Sequence, residues 1–263
     1  MNQKLKLLEK IFLKHTSPDG NPVNTLQDID NLKVLVWTLP KTGTSTLASS
    51  FQHSIDGTFF YKNTTHSHHE LCWFKHISEE LKDIGFSFEL LIEFINSKGI
   101  KPLIIQSCRC PIERLMSGAN HLGIKNCSDH IFNSLNPSTV YIDYLKKTFK
   151  GLWTHNYNKE LGYGFHRGSK YDILYVTIES INKLPENIKL IQDLKEYHNL
   201  KIIDKNVRRG EEGYKKTKNT ANLRLSDINF IYDIFSEPLN FFYNEEKILK
   251  MKEVIAKKFI KDF

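Results

Sequence analysis

Residues 32–47 read LKVLVWTLPKTGTSTL, and this segment predicts the fold class. The apolar, β-branched run at 34–37 is too short to span a membrane and has the length of a buried parallel strand. Pro40 ends the strand, and a tight turn then leads into a helix that we expect to begin near Thr44 or Ser45. A strand, a glycine-containing turn and a helix N-terminus bring free backbone N–H groups to one point, which favours phosphate or sulfate binding.

The turn differs from the P-loop of nucleoside triphosphatases. That motif, G-x-x-x-x-G-K-[ST], carries its lysine after the second glycine, whereas Lys41 precedes the only glycine of this turn, Gly43. A strand–turn–helix corner with a chance lysine is one interpretation. The order P-K-x-G-T-[ST]-[ST] resembles instead the 5′-phosphosulfate loop of sulfotransferases, which use 3′-phosphoadenosine 5′-phosphosulfate (PAPS). By that resemblance the donor-binding residues here are Lys41, Thr42, Gly43, Thr44, Ser45 and Thr46.

Length and composition predict one domain of the α/β class. The 263 residues suffice for a single well-cored domain spanning 1–263, without a linker or an internal repeat. Strands that alternate with helices predict a three-layer sandwich with a mostly parallel central sheet. The net charge of +7 favours a polyanionic partner such as a nucleotide, an acidic glycan, nucleic acid or an anionic membrane surface, although solvated lysine faces are also common.

The N-terminal residues and the cysteines indicate the cellular location that we expect. Residues 1–30 predict an amphipathic helix with a lead-in rather than a signal peptide, and no stretch approaches membrane-spanning length. We therefore expect a cytoplasmic protein for which peripheral membrane contact is open. No metal site is expected from the cysteines, since zinc spacing is absent among Cys72, Cys108, Cys110 and Cys127.

The remaining elements are predicted from periodicity and from residues typical of helix ends. Strands are expected at 57–62, 101–107, 172–178 and 200–204. Helices are expected at 78–97, from Pro111, and at 138–149, 152–161, 185–197 and 225–263, the last with a break near Pro238. Ligands of such sheets bind at the carboxyl ends of the strands, where we expect the turn after Pro40, the histidines at 66–69 and Arg109.

A second motif, R-x-P-x-x-R-x-x-S, extends from Arg109 to Ser117. A guanidinium fork and a hydroxyl at a strand end can hold a second phosphate, although an arginine that only caps the sheet edge is the plainer interpretation. The motif resembles the 3′-phosphate site of sulfotransferases, R-D-P-x-x-R-x-x-S, which implies that Arg109 and Ser117 bind that phosphate. Cys110 stands where the family has aspartate.

A histidine pair, His66 and His68, lies between the two phosphate motifs. Histidine titrates near neutrality and suits the base that a hydroxyl acceptor needs, while a surface loop or an adventitious metal site is the alternative. The pair resembles the H-x-H of glycan 2-O-sulfotransferases that act on uronic acids, and CPIERLMS at 110–117 is similar to their D-P-I-E-R-L-x-S. The resemblance implies that both histidines serve catalysis, with His68 the first choice as base.

Three stretches, LWTHNYNKELGYGF at 152–165, YDILYVTIESI at 171–181 and NVRRGEEGYKKTKN at 206–219, resemble a bacterial family of capsular polysaccharide synthesis proteins that is itself sulfotransferase-like. This resemblance spans most of residues 32–245. Arg208, Arg209 and Gly210 resemble a loop that folds over the 3′-phosphate in cytosolic sulfotransferases, with a plain basic loop as the alternative. Glu179 follows a predicted strand, where it is either part of a family-like turn or a helix-capping acid. Trp153 and Phe165 are candidates for stacking on adenine or for the core.

Together the resemblances imply a PAPS-dependent sulfotransferase with a P-loop-like fold. Its acceptor would be a hydroxyl of a glycan or of a lipid-linked saccharide in capsular or other cell-surface polysaccharide biosynthesis. Lys41 would act in catalysis beside the histidines, adenosine 3′,5′-bisphosphate would be the product, and neither metal nor nucleic acid would be required. Two other hypotheses remain: a non-catalytic glycan- or polyanion-binding component of polysaccharide assembly, and a P-loop-type kinase.

Overall fold

A computed structural model describes residues 3–14, 32–38, 42–54, 64–67, 87–121, 152–203 and 223–260. Its strands are β1 (Val34–Trp37), β2 (Thr64–Ser67), β3 (Leu103–Cys108), β4 (Tyr163–Arg167) and β5 (Asp172–Thr177). They form one sheet in the order β2-β1-β3-β5-β4. Neighbouring strands are parallel except β4 and β5, which are antiparallel. The α/β class and the mostly parallel sheet are therefore confirmed.

The helices of the described ranges surround this sheet. They are α1 (Gln3–Lys14), α2 (Thr44–Ser54), α3 (Phe88–Ser97), α4 (Pro111–His121), α5 (Leu184–Lys189), α6 (Leu225–Ile234), α7 (Ser236–Phe242) and α8 (Glu245–Phe259). Two 3₁₀ helices, Ile178–Lys183 and Gln192–Tyr197, flank α5. None of the helices described here is long and apolar enough to cross a membrane.

Both faces of the sheet are buried, which explains why β1 is continuously apolar. Leu35 and Trp37 belong to one hydrophobic cluster, whereas Val34 and Val36 belong to a second one, because successive side chains of a strand point to opposite faces. The first cluster includes residues of α1, α3, α4 and α6–α8. The second includes residues of α2, α5 and the two 3₁₀ helices. The sheet thus lies between two layers of helices.

The strand β2 was not predicted. It lies in the polar segment around His66, and the strand predicted at 57–62 falls outside the described residues. His66 pairs with Val36 and Ser67 pairs with Trp37, so His66 lies within a strand rather than after one. The threonines at 64 and 65 are β-branched, and β2 is an edge strand, where polar residues are common.

The helix predicted at 152–161 is wrong, and β4 was not predicted at all. Asn158 Oδ1 accepts hydrogen bonds from the backbone N–H groups of Glu160 and Leu161 at 3.0 Å each, which closes a turn instead of a helix. Gly162, with φ of +72°, then directs the chain into β4. The strand predicted at 200–204 is also wrong for its described part, since 200–203 are in no strand.

Other helix boundaries differ from the predictions because local backbone geometry interrupts the periodic pattern. The helix expected from 78 to 97 has its N-cap at Ser87, whose backbone is extended. The helix expected at 185–197 divides at Ile191, which is also extended. Pro238 does not break the C-terminal helices: it lies in the first turn of α7, where proline is tolerated, and the break comes at Phe235. The helix predicted at 138–149 lies outside the described residues.

Candidate functional site

The sheet order brings the ends of three parallel strands side by side. In the register, Trp37 of β1 pairs with Ser67 of β2, and Val36 pairs with Ile105 of β3. The carboxyl ends of β2, β1 and β3 therefore share one edge, with β1 in the middle. The chain leaves β1 between the end of β2, which contains His66, and the end of β3, which precedes Arg109. This edge is where open α/β sheets bind their ligands.

Gly43 fixes the turn between β1 and α2. Its φ is +82°, in the left-handed region that favours glycine, and its carbonyl accepts the first helical hydrogen bond from Leu47 N at 2.9 Å. A Cβ atom at this position would lie 2.4 Å from Ile178 Cδ1, just past β5. Glycine is therefore favoured by both backbone conformation and space. The first N–H groups of α2, which begins directly after Gly43, have no acceptor within the helix.

Thr44, the first residue of α2, has the hydroxyl most suited to a ligand. The residue is 3% exposed, and Oγ1 has no hydrogen-bond partner among the described residues. A buried hydroxyl without a partner is destabilising unless a ligand or water satisfies it. The helix N-terminus beside it favours an anion. The sequence-based assignment of Thr44 to donor binding stays a prediction.

The side chain of Thr42, unlike that of Thr44, has a structural role. Its hydroxyl contacts Thr38 Oγ1 and lies 3.0 Å from Ser107 Oγ, which also donates to the Thr42 carbonyl at 2.8 Å. Thr38 Oγ1 in turn lies 2.8 Å from Ser107 Oγ. This hydroxyl cluster, formed by Thr38, Thr42 and Ser107, joins the turn after β1 to the end of β3. The side chain of Thr42 is thus engaged in the cluster, and any contribution to ligand binding falls to its backbone.

Several predicted site residues lie outside the described residues. Lys41, His68, Arg208, Arg209 and Gly210 are among them, as are the side chains of Ser45 and His66. Thr46 is buried in the first turn of α2. The assignments of these residues to catalysis or donor binding stay predictions.

Arg109 follows β3 directly, and its charge is balanced by an acid that the sequence analysis did not consider. Its Nη2 lies 3.2 Å from Glu113 Oε2, and its side chain is 15% exposed. The other oxygen of Glu113 lies 3.7 Å from Lys258 Nζ on α8. Glu113 thus supplies an acidic partner for Arg109, although residue 110 is not an acid. The i, i+4 spacing of Arg109 and Glu113 is the signal from which this pair could have been found.

The surroundings of Cys110 suit an uncharged side chain rather than the aspartate found at this position of the sulfotransferase motif. Its Sγ lies 3.4 Å from Tyr232 Oη of α6, and the residue is buried in the cluster that includes α4 and α6. Burial raises the pKa of the thiols of both Cys110 and Cys108. An aspartate side chain at 110 would carry its charge into the same apolar surroundings, which is costly without a partner.

The other two residues of the second motif differ in accessibility. Arg114 is 4% exposed, and its guanidinium lies 4.9 Å from the centre of the Phe235 ring, so it packs α4 against the chain after α6. Ser117 lies further along α4 and is partly exposed. Ser117 and Arg109 thus both keep some exposed surface, whereas Arg114 contributes to packing.

Glu179 is an acid at this edge of the sheet. The sequence left open whether it belongs to a family-like turn or caps a helix. It follows β5, and Tyr243 Oη donates a hydrogen bond to its Oε2 at 2.9 Å. Burial raises the pKa of Glu179, while hydrogen bonds from its own backbone N–H and from Tyr243 and the charge of Arg109 oppose this rise. Because the residue as a whole is exposed, solvent moderates the effect of burial. Tyr243 thus holds the Glu179 carboxylate near the end of β3, where the charge of Arg109 acts on it.

The two aromatic residues suggested for adenine stacking are on opposite sides of the sheet. Trp153 packs against the cluster that includes α1 and α3, whereas Phe165 packs against the cluster that includes α2 and α5. They therefore cannot sandwich one adenine ring. Both contribute to the core, which is the alternative that the sequence analysis retained.

Replacing Gly43 with alanine is expected to lower the free energy of unfolding by about 2–3 kcal/mol, because strain from positive φ adds to the contact with Ile178. Gly99→Ala is the matched control, since Gly99 has φ of +77° but no atom within 4 Å of the position that a Cβ would occupy, and it should cost about 1 kcal/mol. Urea denaturation measures both. Equal losses for the two variants would contradict a space requirement at Gly43.

Comparison with known proteins gives no relative: no protein-family model, curated protein or solved structure matches this chain. A sulfotransferase assignment is therefore a proposal from the motifs around Lys41, His68 and Arg109.

Proposed function

We propose that this protein is a PAPS-dependent sulfotransferase that modifies a glycan hydroxyl during the synthesis of capsular or other cell-surface polysaccharide. One observation supports the proposal: two features suited to anions lie at the ends of adjacent parallel strands and are joined by the hydroxyl cluster. They are the N-terminus of α2 after Gly43 and the guanidinium of Arg109 after β3. A donor with a 5′-phosphosulfate and a separate 3′-phosphate has two anionic groups to match them.

The donor would contact residues of both motifs. The N–H groups at the start of α2 and the unpartnered hydroxyl of Thr44 suit the phosphosulfate, and Lys41 adds a positive charge there. Arg109 and Ser117 suit the 3′-phosphate, together with Arg208 and Arg209. A sulfotransferase-type, P-loop-like fold is the finer fold assignment that goes with this arrangement.

The reaction is a single in-line transfer. The acceptor hydroxyl oxygen forms a bond to sulfur as the bond between sulfur and the 5′-phosphate oxygen breaks, which yields a sulfate ester and adenosine 3′,5′-bisphosphate. His68, assisted by His66, takes the proton of the acceptor hydroxyl. Lys41 and the helix N-terminus stabilise the charge that develops on the leaving oxygen. The net charge of +7 is compatible with an acidic glycan as acceptor.

A kinase is the less favoured chemistry. P-loop kinases hold Mg²⁺ with an acid near the end of a strand beside the loop, and here the residue after β3 is Arg109, paired with Glu113. A non-catalytic glycan-binding protein would need the basic surface but no base.

Transfer of a labelled group to a polysaccharide tests the sulfotransferase, kinase and binding-protein hypotheses together. The protein is incubated with a desulfated acidic polysaccharide and with either sulfur-labelled PAPS or γ-phosphate-labelled ATP. We expect label from PAPS, and none from ATP, in the polysaccharide. Transfer from ATP would support the kinase. Retention of the polysaccharide without any transfer, from a protein that binds no adenosine 3′,5′-bisphosphate, would support the binding component.

A further inference from the structure

Glu179 lies in a cluster of charged and titratable groups at the carboxyl ends of β3 and β5. Tyr243 Oη donates to Glu179 Oε2 at 2.9 Å and lies 3.3 Å from the Cys108 carbonyl, the last residue of β3. Arg109 comes next in the chain and contacts Glu113 at 3.2 Å. The tyrosine ring is buried, so its hydroxyl fixes the carboxylate of Glu179 relative to the end of β3. An acid is therefore held beside the arginine proposed to bind phosphate.

We propose that Glu179 is a positioning residue that sets the anion affinity of Arg109, an inference that rests on the function proposed above for this site. Glu113 contacts the guanidinium of Arg109 at 3.2 Å, and Tyr243 holds Glu179 beside the end of β3, where its charge acts on the same guanidinium. While both acids are ionised, they balance the positive charges of Arg109 and of Lys258, which lies 3.7 Å from Glu113, so an incoming dianion meets a cluster without net charge. When Glu179 takes up a proton, the cluster gains a net positive charge that attracts the anion. The site would therefore bind anions more tightly as the pH falls.

The groups that face Glu179 come from several elements. They are Cys108 of β3, Arg109 after it, Glu113 of α4, Tyr157 before β4 and Tyr243 after α7. Burial raises the pKa of both tyrosines and of the thiol, so these three stay uncharged as Glu179 titrates. The raised pKa of Glu179 brings its protonation closer to neutral pH. The change in charge near Arg109 can therefore be attributed to Glu179.

Inorganic sulfate is the appropriate probe, because it stays a dianion across the relevant pH range, whereas a phosphate group titrates near pH 6. Sulfate is added to the nitrogen-labelled protein, and the Arg109 Nε resonance, assigned with Arg109→Ala, is followed by NMR. Between about pH 8 and about pH 5 we expect the affinity of the wild type to rise on the order of tenfold. In Glu179→Gln the affinity for sulfate should be high at every pH in this range and should not rise as the pH falls.

Two further variants test whether the effect belongs to this cluster. Tyr243→Phe removes the donor that favours the ionised form of Glu179, so the pKa of Glu179 should rise and the change in affinity should move to higher pH. Glu196→Gln is the matched control, because Glu196 is an exposed acid 4.0 Å from Lys33, at the start of β1 and thus at the opposite sheet edge. Its pH profile should equal that of the wild type.

The outcomes separate this inference from the proposed function. The inference about Glu179 is overturned if Glu179→Gln keeps the wild-type pH profile of sulfate affinity. It is also overturned if sulfate leaves the Arg109 resonance unchanged at every pH. Circular dichroism establishes that each variant is folded. If the sulfate results are as expected and adenosine 3′,5′-bisphosphate still fails to bind, the tuning of Arg109 by Glu179 holds and the proposed function fails.

Discussion

Arg109→Ala is expected to weaken the binding of adenosine 3′,5′-bisphosphate about a hundredfold, because charge-assisted hydrogen bonds to the 3′-phosphate are lost. AMP, which lacks that phosphate, should bind the variant and the wild type with similar affinity. Because the side chain is 15% exposed and pairs with Glu113, circular dichroism should first establish that the variant is folded. Calorimetric titration of both nucleotides into both proteins measures the effect.

Arg167→Ala is the matched control for this prediction. Arg167 ends β4 and forms an ion pair with Asp193 at 3.0 Å. It pairs in register with Asp172, the first residue of β5, so it lies at the sheet edge opposite Arg109. The control should bind both nucleotides as the wild type does. Equal losses in the two variants would point to a general charge effect and would remove Arg109 from the phosphate site.

His68→Ala is expected to lower sulfuryl transfer about a thousandfold, within the range that general-base catalysis contributes. Lys41→Ala should lower it at least as much, because that residue is proposed to stabilise charge on the leaving oxygen. The histidine variant should still bind adenosine 3′,5′-bisphosphate, since the base acts on the acceptor. Initial rates with labelled PAPS, together with calorimetry, separate the loss of catalysis from a loss of donor binding.

His166→Ala serves as the control for the histidine prediction. His166 is on β4, which forms the opposite edge of the sheet from β2, so it is remote from the proposed acceptor. Its variant should keep the wild-type rate. A fully active His68→Ala protein would exclude His68 as the base and would direct attention to His66.

The segment around Gly43 was predictable because its signals are local. An apolar β-branched run, a proline and a glycine specify the strand and the turn, and the structure has β1 at Val34–Trp37 and α2 from Thr44. Pro111 likewise marks the first turn of α4. Each signal lies within a few residues of the feature it specifies.

What was missed depends on partners distant in the sequence. β4 has a polar, glycine-containing sequence and is a strand because it pairs with β5 at the sheet edge. The contact of Thr42 with Ser107 spans 65 residues, and that of Glu179 with Tyr243 spans 64. Neither pair leaves a periodic signal. The sequence therefore predicted the strand–turn–helix corner at Gly43 and the helix that follows Arg109, but not the network that joins the turn to β3 or the acid beside Arg109.

The most direct test of the proposed site is calorimetric titration of the wild-type protein with adenosine 3′,5′-bisphosphate, AMP and ATP. We expect the bisphosphate to bind about a hundredfold more tightly than AMP, because only the bisphosphate engages both the start of α2 and Arg109. ATP should bind no better than AMP. Equal affinities for the bisphosphate and AMP, or no binding of the bisphosphate by a folded protein, would contradict a site with two anion-binding features.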